Sequence, residues 1–426
     1  MKNSRRAFFG KAAAMAAAAS VTPLAGFGSG LETAVENTSK LSAPSDIRIT
    51  EVQIGFVRGL YVKLRTNQDI YGVGEGVDAV GGTYYVAQNI GRRLINQSPL
   101  NIHQLFESIR RGGHFGGAQS GMYVAVLSAF ETALWDLVGK IFGVPVYQLL
   151  GGKFRDKIRV YCDTAMYRSE FPTPQDFADA TLQARKDWNI EAVKFDIDYV
   201  SDPEKKDRWN WTASPGEIQR MYNQLAAVRE VVGPNFDICV DMHGRYDFVA
   251  AQAIARKVED LNLTWLEEPV PAEDPRAYAR IARETNTPIA GGENNYLAYD
   301  FKQYLELEGM DIVMPDLQKC GGLGEGQRIA NLANLYYVPF SPHMVATFLG
   351  AMAASHVCAS VPNFHLLEWQ SYFETDAMFK EICTYDAGDW VKDGYLTVSN
   401  KPGIGVDLNI GAMKKYAVPE QPFTLT

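Results

Sequence analysis

Three short stretches decide the fold: residues 240–245 read VDMHGR, residues 265–269 read WLEEP and residues 290–294 read AGGEN. Each contains an apolar run that ends in a carboxylate close to a glycine or proline, which is typical of a buried strand with an acid at its C-terminal end. Glu267 follows Asp241 by 26 residues and Glu293 follows Glu267 by another 26, about the length of one strand, one helix and two loops in a β/α barrel. Three such acids can converge on one ion, and oxygen donors without cysteine favour Mg²⁺, or Mn²⁺, over Zn²⁺.

The same rhythm continues through the middle of the chain. After Gly152 candidate strands alternate with candidate helices, which indicates a domain boundary near residues 153–157. From Glu293 the next strand ends follow at Asp316, His343 and Glu368, at intervals of 23, 27 and 25 residues. The period predicts an α/β fold, a (β/α)7β TIM-like barrel over residues 156–370. Its candidate strands are residues 160–162, 192–197, 238–243, 264–267, 288–293, 312–316, 338–343 and 365–368.

An α+β domain is predicted over residues 45–155, ahead of the barrel. Alternating apolar and polar side chains favour antiparallel strands at 47–56, 61–66 and 71–75, and helical spacing of apolar residues favours helices at 85–95 and 124–140. Residues 110–117 read RRGGHFGG, so we expect either a mobile substrate loop or an ordinary turn there. The C-terminal segment 371–426 contains PGIGV at 402–406, and we expect it to fold back onto the first domain.

The first thirty residues look like a targeting segment rather than structure. Paired arginines at Arg5 and Arg6 are followed by Phe8 and by an alanine-rich core at 12–19, and no acidic residue precedes Glu32. The pattern resembles a twin-arginine export signal, so we expect residues 1–30 to direct the protein to the periplasm or out of the cell. The core is too short to span a bilayer, and no membrane span is expected in the mature protein. An alanine-rich N-terminal helix on a cytoplasmic enzyme is the alternative.

Charge and cysteine content argue against several classes of function. The 426 residues carry a formal net charge of −9, which argues against nucleic acid or an anionic membrane as partner, because both bind basic surfaces. The five cysteines show no CxxC spacing and their number is odd, so buried thiols are a better interpretation than a disulfide framework. A small molecule is therefore the expected ligand.

Further short motifs resemble those of the enolase superfamily, in its mandelate-racemase-like branch of acid-sugar dehydratases and racemases. They are ALWDLVGK at 133–140, GVPVYQLLGG at 143–152, EEP at 267–269, GE at 292–293, PD at 315–316, CGG at 320–322 and PH at 342–343. The resemblance implies a capping domain over the barrel, a Mg²⁺ held by Asp241, Glu267 and Glu293, and a symmetric homo-oligomer. The choice of Glu267 over Glu268 follows the family pattern, since alternation along a strand turns only one of two neighbours inward.

His343 is the candidate base for a reaction that removes a proton next to a carboxylate. Such a reaction needs a cation to neutralise the enediolate as well as a positioned base. Asp316 lies one strand earlier in the barrel and can hydrogen-bond to His343, which fixes the tautomer of the imidazole and raises its basicity. The resemblance also implies an Asp/His pair as base, and a core histidine with a structural role is the alternative.

His243 and Glu368 are candidates for the acid side of the reaction. His243 lies two residues beyond Asp241, so alternation along a strand predicts that both side chains face the barrel interior. It resembles the histidine that protonates the leaving hydroxyl in galactonate-dehydratase-like members, and a place among or behind the metal ligands is the alternative. Glu368 resembles the family's acid that hydrogen-bonds the enediolate, for which it would have to be protonated.

Residues 194–196 depart from the Lys-x-Lys pattern that many relatives carry on the second strand. Lys194 is present and can neutralise the carboxylate of the substrate, but Asp196 stands in place of the second lysine. Because a carboxylate is a poorer base toward carbon and repels an anion, racemisation with two bases is disfavoured, and elimination of water with one base and one acid is favoured. The candidates for contacts with the substrate, each with plain packing or surface exposure as the alternative, are Asp196, Arg245, Tyr84, Trp209 and Trp211.

The sequence therefore predicts a Mg²⁺-dependent lyase that dehydrates an aldonic or related sugar acid to its 2-keto-3-deoxy product. An epimerase, racemase or cycloisomerase that shares the proton abstraction but loses no water is the alternative within enzymes. A non-catalytic periplasmic protein that binds sugar acids is the alternative outside them.

Overall fold

The computed structural model describes residues 46–79, 82–164, 171–207, 209, 211–385 and 391–426. The predicted export signal at 1–30 lies outside the described residues. A capping domain comes first in the chain, a barrel follows, and the C-terminal segment contacts both.

The capping domain begins with a three-stranded antiparallel sheet in the order β1 (Ile49–Phe56), β2 (Leu60–Thr66) and β3 (Tyr71–Gly76). The helices α1 (Tyr84–Leu94), α2 (Ile102–Gly112) and α3 (Gly121–Phe142) follow, and then the short α4 (Val146–Leu149). Residues 114–116 form one turn of 3-10 helix. The glycine-rich segment 110–117 is therefore the end of α2 and the start of the connection from α2 to α3.

Helix α3 packs directly on β3 because alternate residues of the strand are glycines. A Cβ atom on Gly72 would lie 2.2 Å from the carbonyl oxygen of Ala133, and one on Gly74 would lie 2.1 Å from that of Ala129. Both distances are far below van der Waals contact, so any larger residue would push the helix away. Among the described residues α3 is also long and apolar enough to cross a bilayer, but 83% of its most apolar stretch is buried inside the protein. It is the core helix of this domain.

Parallel strands form the barrel. They run in the order β4 (Lys157–Asp163), β5 (Ala192–Asp196), β6 (Asp237–Asp241), β7 (Trp265–Glu267), β8 (Ile289–Gly291) and β9 (Ile312–Val313). Phe340 bridges Val313 and Phe364 in the seventh position, and β10 (Leu367–Gln370) pairs with β4. The ring is therefore closed, with eight positions, as the period of the sequence predicts.

Helices connect successive strands of the barrel and pack on its outer face. They are α5 (Pro174–Trp188), α6 (Pro215–Val232), α7 (Phe248–Lys257), α8 (Pro275–Ala282), α9 (Leu297–Glu306), α10 (Leu323–Leu335) and α11 (Phe348–Ser360). Thr173 and Ser214 each close a capping box with the acid three residues on, and a proline follows each of them. These local signals start α5 and α6 sharply and so define where the preceding loops end.

The C-terminal segment contacts both domains. Helices α12 (Tyr372–Thr375) and α13 (Ala377–Glu381) lead to β11 (Cys383–Thr384), which pairs with β14 (Asp407–Leu408) ahead of α14 (Ile410–Met413). The hairpin of β12 (Val391–Lys392) and β13 (Tyr395–Thr397) pairs with β4 of the barrel, which the sequence does not predict. The PGIGV stretch lies on the capping domain, where the N–H of Ile404 donates to Asp136 of α3 at 2.8 Å.

Two acids of the capping domain cap helices of the barrel. Glu131 on α3 accepts hydrogen bonds from the N–H groups of Leu323 (2.7 Å) and Gly324 (3.0 Å) at the start of α10. Glu75 on β3 accepts one from the N–H of Thr347 at 2.9 Å, just before α11. Both carboxylates are buried, and burial raises the pKa of Glu131 to about 7. They satisfy backbone donors that a helix cannot satisfy internally, and thereby join the two domains.

The predicted fold class, a TIM-like barrel with an α+β capping domain, is confirmed by this architecture. The residue bounds of the domains stay a prediction. All five cysteines are buried and free, as expected for structural thiols in a chain without a disulfide framework.

Candidate active site

The three predicted metal ligands meet at the C-terminal rim of the barrel. Asp241 and Glu267 are the last residues of β6 and β7, and Glu293 lies two residues beyond β8. One carboxylate oxygen from each lies within 4.8 Å of the others. Oε1 of Glu267 is buried and has no hydrogen-bond partner in the part of the chain that the structure describes. Three oxygen donors at this spacing, with one oxygen still unpaired, fit a divalent cation that prefers oxygen ligands.

Lys194 lies at the centre of the acids. Its Nζ is 3.2 Å from Asp241 Oδ2, 3.4 Å from Glu267 Oε2 and 3.3 Å from Glu368 Oε1. Burial lowers the pKa of Lys194, but the charges of Glu267 and Glu368 outweigh it and hold this pKa well above its usual value. Burial and the charge of Asp241 raise the pKa of Glu267. The lysine is therefore a fixed positive charge that neutralises only part of the cluster.

His343 and Asp316 form the predicted pair. The Nδ1 atom of His343 lies 2.8 Å from Asp316 Oδ2, and the other oxygen of Asp316 accepts a hydrogen bond from the N–H of Gln318 at 2.7 Å. The carboxylate is therefore fixed and holds the imidazole with Nε2 toward the metal ligands. Nε2 lies 2.9 Å from Glu293 Oε2. Burial lowers the pKa of His343, but the charges of Glu293 and Glu368 outweigh it and raise it well above its usual value.

Glu368 is arranged as a hydrogen-bond acceptor. It lies on β10, where Oε2 accepts a hydrogen bond from the N–H of Met344 at 2.9 Å and Oε1 accepts one from Gln370 Nε2 at 2.8 Å. Lys194 adds a positive charge at 3.3 Å. The predicted role of Glu368, as a protonated acid that hydrogen-bonds the enediolate, stays a prediction.

His243 reaches the same site from a turn. Strand β6 ends at Asp241, so the alternation argument for His243 is wrong. Residues 242–245 form a turn in which the N–H of Arg245 donates to the carbonyl of Met242 at 2.9 Å, and His243 and Gly244 have φ values of 46° and 64°. These angles are those of a type I′ turn. The turn brings Nε2 of His243 to 3.8 Å from Asp241 Oδ2.

Asp198, which sequence reasoning missed, holds the other face of His243. Its Oδ1 lies 3.2 Å from His243 Nδ1, and its Oδ2 lies 2.6 Å from Arg245 Nε. Burial lowers the pKa of His243, but the charge of Asp241 and the hydrogen bond with Asp198 raise it to about 11. The one feature of the sequence that could have pointed to Asp198 is that it is a second acid, two residues beyond Asp196, at the end of the second strand.

Asp196 and Glu268 add further negative charge to the rim. Burial raises the pKa of Asp196 to about 6, with the charge of His243 lowering it. Burial and the charge of Glu293 raise the pKa of Glu268 to about 7. Glu268 has a φ of 39°, so strand alternation no longer applies to it. Glu267 and Glu268 are both buried at the rim. Of the two, Glu267 belongs to the group of carboxylates that could hold a metal, whereas Glu268 lines the cavity beside it.

A cavity of about 550 Å³ opens beside the cluster and is lined by His243, Glu268, Asn294, Trp211 and Ser120, among others. Ser120 follows the glycine-rich segment, so the connection from α2 to α3 reaches the mouth of the barrel. A smaller cavity of about 210 Å³ lies behind Trp211 and is lined by Asp198, Arg245 and Trp209 as well.

Of the residues predicted to contact the substrate, all but Tyr84 lie at the rim or line a cavity there. Trp211 lines both cavities, and the structure brings Asp196, Arg245 and Trp209 to the rim as well. Tyr84 lies at the start of α1, where its ring packs on Tyr85 at 5.7 Å between centroids. It lines neither of these cavities.

Comparisons with known proteins agree with this architecture. Residues 176–412 match the family model "Enolase C-terminal domain-like", and residues 32–151 match "Mandelate racemase / muconate lactonizing enzyme, N-terminal domain". The chain is 34% identical to a D-xylonate dehydratase of Haloferax volcanii over 388 residues, which cover 90% of this chain and 92% of that one. It is 30% identical to a D-galactonate dehydratase of Ralstonia nicotianae over 356 residues, which cover 83% and 89%.

Solved structures give the same result. A mandelate racemase/muconate lactonizing enzyme-like protein from Rubrobacter xylanophilus superposes with a TM-score of 0.83 at 36% identity, over 89% of this chain and 99% of that one. The 3,6-anhydro-D-galactonate cycloisomerase from Zobellia galactanivorans gives a TM-score of 0.75 at 27% identity, over 87% and 99%. The chain therefore belongs to the enolase superfamily, in its mandelate racemase-like group.

Proposed function

We propose that the protein is a hydro-lyase that dehydrates an aldonic acid. The observation that carries this proposal is the placement of two histidines on opposite sides of one carboxylate cluster. His243 follows the third position of the eight-membered ring and His343 follows the seventh, so the two lie four steps apart around the ring in either direction. One can remove a proton while the other delivers one, which is what elimination of water requires. The named relatives, two dehydratases, support the same reaction class.

Asp241, Glu267 and Glu293 would hold a divalent cation, and Mg²⁺ suits their oxygen donors better than a softer metal does. When bound, Mg²⁺ supplies positive charge to the substrate carboxylate as the adjacent C–H bond breaks. The rim fits this role because its buried acids outnumber Lys194 and the cations near it. Lys194 adds a second positive charge for the same carboxylate.

The chain's own residues carry the proton transfers in this proposal. Nε2 of His343 takes the proton from the carbon next to the carboxylate, and Asp316 holds the imidazole in position through Nδ1. His343 must first leave Glu293, to which Nε2 is bonded at 2.9 Å. Nε2 of His243 then gives a proton to the hydroxyl on the next carbon, so that the C–O bond breaks and water leaves. The resulting enol tautomerises to a 2-keto-3-deoxy acid.

Incubation of the protein with D-xylonate, D-galactonate and their stereoisomers in D₂O, with Mg²⁺ present, tests the proposal. We expect a 2-keto acid that has lost one water and carries one deuterium at C3, taken from the solvent when the enol tautomerises. Chelation of the divalent ion should stop the reaction and Mg²⁺ or Mn²⁺ should restore it. Binding of these acids without product or exchange of the α-hydrogen would contradict the proposal and favour a binding protein.

A second candidate is a cycloisomerase of a sugar acid, which the likeness to the Zobellia galactanivorans structure favours. The same base would remove the α-proton, but the product would keep the mass of the substrate. Product mass therefore separates the two reactions in one measurement. We favour dehydration because His243 lies at the rim with an orienting carboxylate behind it, and proton donation to a leaving hydroxyl gives that pair a use.

A further inference from the structure

Asp198 makes two contacts that join a histidine to an arginine. It is 8% exposed, and its two oxygens serve different partners, Oδ1 at 3.2 Å from His243 Nδ1 and Oδ2 at 2.6 Å from Arg245 Nε. Arg245 is about half exposed, with 52% of its side chain accessible. The arginine therefore anchors the carboxylate from the solvent side, and the carboxylate presents its other oxygen to the imidazole.

The turn at residues 242–245 makes this arrangement geometrically rigid. His243 occupies a left-handed backbone conformation with φ of 46°, and its N–H donates to Asp241 Oδ1 at 2.8 Å. The N–H of Gly244, also left-handed, donates to the carbonyl of Glu268 at 2.7 Å. One hydrogen bond to the end of the preceding strand and one to the residue that follows β7 thus hold a strained conformation. One short turn delivers both the imidazole and the arginine that meet Asp198.

The same pattern occurs on the opposite side of the rim. There Asp316 follows the sixth position of the ring and holds Nδ1 of His343 at 2.8 Å, while Asp198 follows the second position and holds Nδ1 of His243, which follows the third. In both pairs the acid lies one strand before the histidine. In both, the Nδ1 contact leaves Nε2 directed at the carboxylate cluster, since the two ring nitrogens point in different directions.

We infer that Asp198 is a positioning residue: its hydrogen bond with Nδ1–H fixes the ring orientation of His243, so that the N–H at Nε2 of the doubly protonated imidazole faces the hydroxyl that leaves and gives up its proton to it. Arg245 keeps Asp198 in place for this purpose. The inference rests on the proposed function for its consequence in catalysis, whereas the hydrogen bond between Nδ1–H and Asp198 can be observed without any substrate. It assigns to Asp198 and Arg245 roles that do not require either side chain to touch the substrate.

The decisive variants are Asp198→Ala and Asp198→Asn, compared with His243→Asn and with Asp202→Asn as a matched control. Asp202 lies in the same loop, is buried and is bonded to Arg220 rather than to a histidine. Two rates are measured on one aldonate in D₂O, the exchange of the α-hydrogen and the formation of keto acid. We expect Asp198→Ala to lower keto-acid formation about 10- to 100-fold while exchange persists, so that the ratio of exchange to dehydration rises toward that of His243→Asn. Asp202→Asn should leave the ratio unchanged.

Two further measurements separate this role from the alternatives. The affinity for Mn²⁺, measured by spectroscopic titration without substrate, should be the same in the wild type and Asp198→Ala; a weaker affinity would make His243 a metal ligand and overturn the inference. Histidine ¹⁵N NMR, with His243→Asn used for assignment among six histidines, should show a protonated, hydrogen-bonded Nδ1 that Asp198→Ala loses. An unchanged Nδ1 signal would overturn the inference whatever the reaction is.

The experiments give different results depending on whether the proposed function or the inference about Asp198 is wrong. If the wild type forms no keto acid from any aldonate, dehydration is refuted and the NMR result decides whether Asp198 positions His243. If the wild type forms keto acid and the ratio of the two rates is the same in wild type and Asp198→Ala, dehydration stands and the inference falls. Arg245→Met gives an independent check at a half-exposed position, where a smaller rise of the same ratio is expected.

Discussion

Replacement of Lys194 by methionine should make the stability of the protein depend strongly on divalent cations. Lys194 Nζ lies within 3.2 to 3.4 Å of oxygens of Asp241, Glu267 and Glu368, and its side chain is 3% exposed. Methionine keeps the length of the side chain but removes the charge. The acids are then buried with less neutralising charge, and the folded state must either take up a proton or bind a cation.

The expected cost follows from measurements on buried ion pairs, in which removal of one partner destabilises a protein by about 3–5 kcal/mol. The unfolding entropy of about 2.1 cal/mol/K per residue means that, for a chain of 426 residues, each kcal/mol lowers Tm by about 1 °C. Lys194→Met should therefore melt roughly 3–5 °C lower than the wild type in the presence of a chelator. A cation at a hundred times its Kd returns about 2.7 kcal/mol to whichever protein binds it. Because Lys194 competes with the cation for Asp241 and Glu267, Mg²⁺ should raise the Tm of the variant by more than that of the wild type.

Thermal unfolding followed by circular dichroism, in EDTA and in a series of Mg²⁺ concentrations, measures this directly. The difference in Tm between the two proteins should narrow as Mg²⁺ increases. Lys205→Met is the matched control, because Lys205 forms another buried ion pair, 3.0 Å from Glu217, away from the metal ligands. Its loss of stability should be the same with and without Mg²⁺. A Lys194→Met protein whose deficit does not change with Mg²⁺ would refute the argument that the acids share one cation.

Three further outcomes are expected. His343→Asn should lower α-hydrogen exchange in D₂O by about 10²- to 10⁴-fold without weakening Mn²⁺ binding, and full exchange in the variant would remove His343 as the base. Burial raises the pKa of Glu131 from 4.5 to about 7, so the folded state holds this proton more tightly than the unfolded chain and stability falls as pH rises from about 4.5 through 7. In chemical denaturation over this pH range, the wild type should lose up to about 3 kcal/mol of unfolding free energy that Glu131→Gln does not lose. An equal loss in both proteins would contradict this prediction. We propose that the chain is exported, so full-length protein with Arg5→Lys and Arg6→Lys should remain in the cytoplasmic fraction of cells in which the parent reaches the periplasm.

The repeating part of the molecule could be predicted from the sequence. Spacings of 26 residues between acids follow from the size of one strand and helix unit, and they brought Asp241, Glu267 and Glu293 to one rim because parallel strands end on the same side of a barrel. The pair of His343 and Asp316 followed from the same reasoning, since neighbouring strand ends lie close together. Whether these residues have the catalytic roles proposed for them stays a prediction.

The parts that departed from prediction depend on single backbone angles or on contacts distant in sequence. His243 and Glu268 adopt positive φ although neither is glycine. The rule of alternation along a strand assumes extended backbone, so it cannot predict the direction of these two side chains. Asp198 becomes relevant only because the turn at 242–245 folds His243 and Arg245 toward it. The hairpin of β12 and β13 lies on β4, more than two hundred residues earlier, and no local pattern encodes that pairing.

The two carboxylates that reach from the capping domain to the starts of α10 and α11 limit how substrate can enter. If the capping domain swung away as a rigid lid, Glu75 and Glu131 would lose their backbone donors together, at about 1–3 kcal/mol for each donor left unpaired. Rigid-body movement of the capping domain is therefore an energetically costly way to admit substrate. We expect substrate to enter instead past the loops around the cavity mouth, among them the connection that carries Ser120, because a shift of that connection would break neither cap.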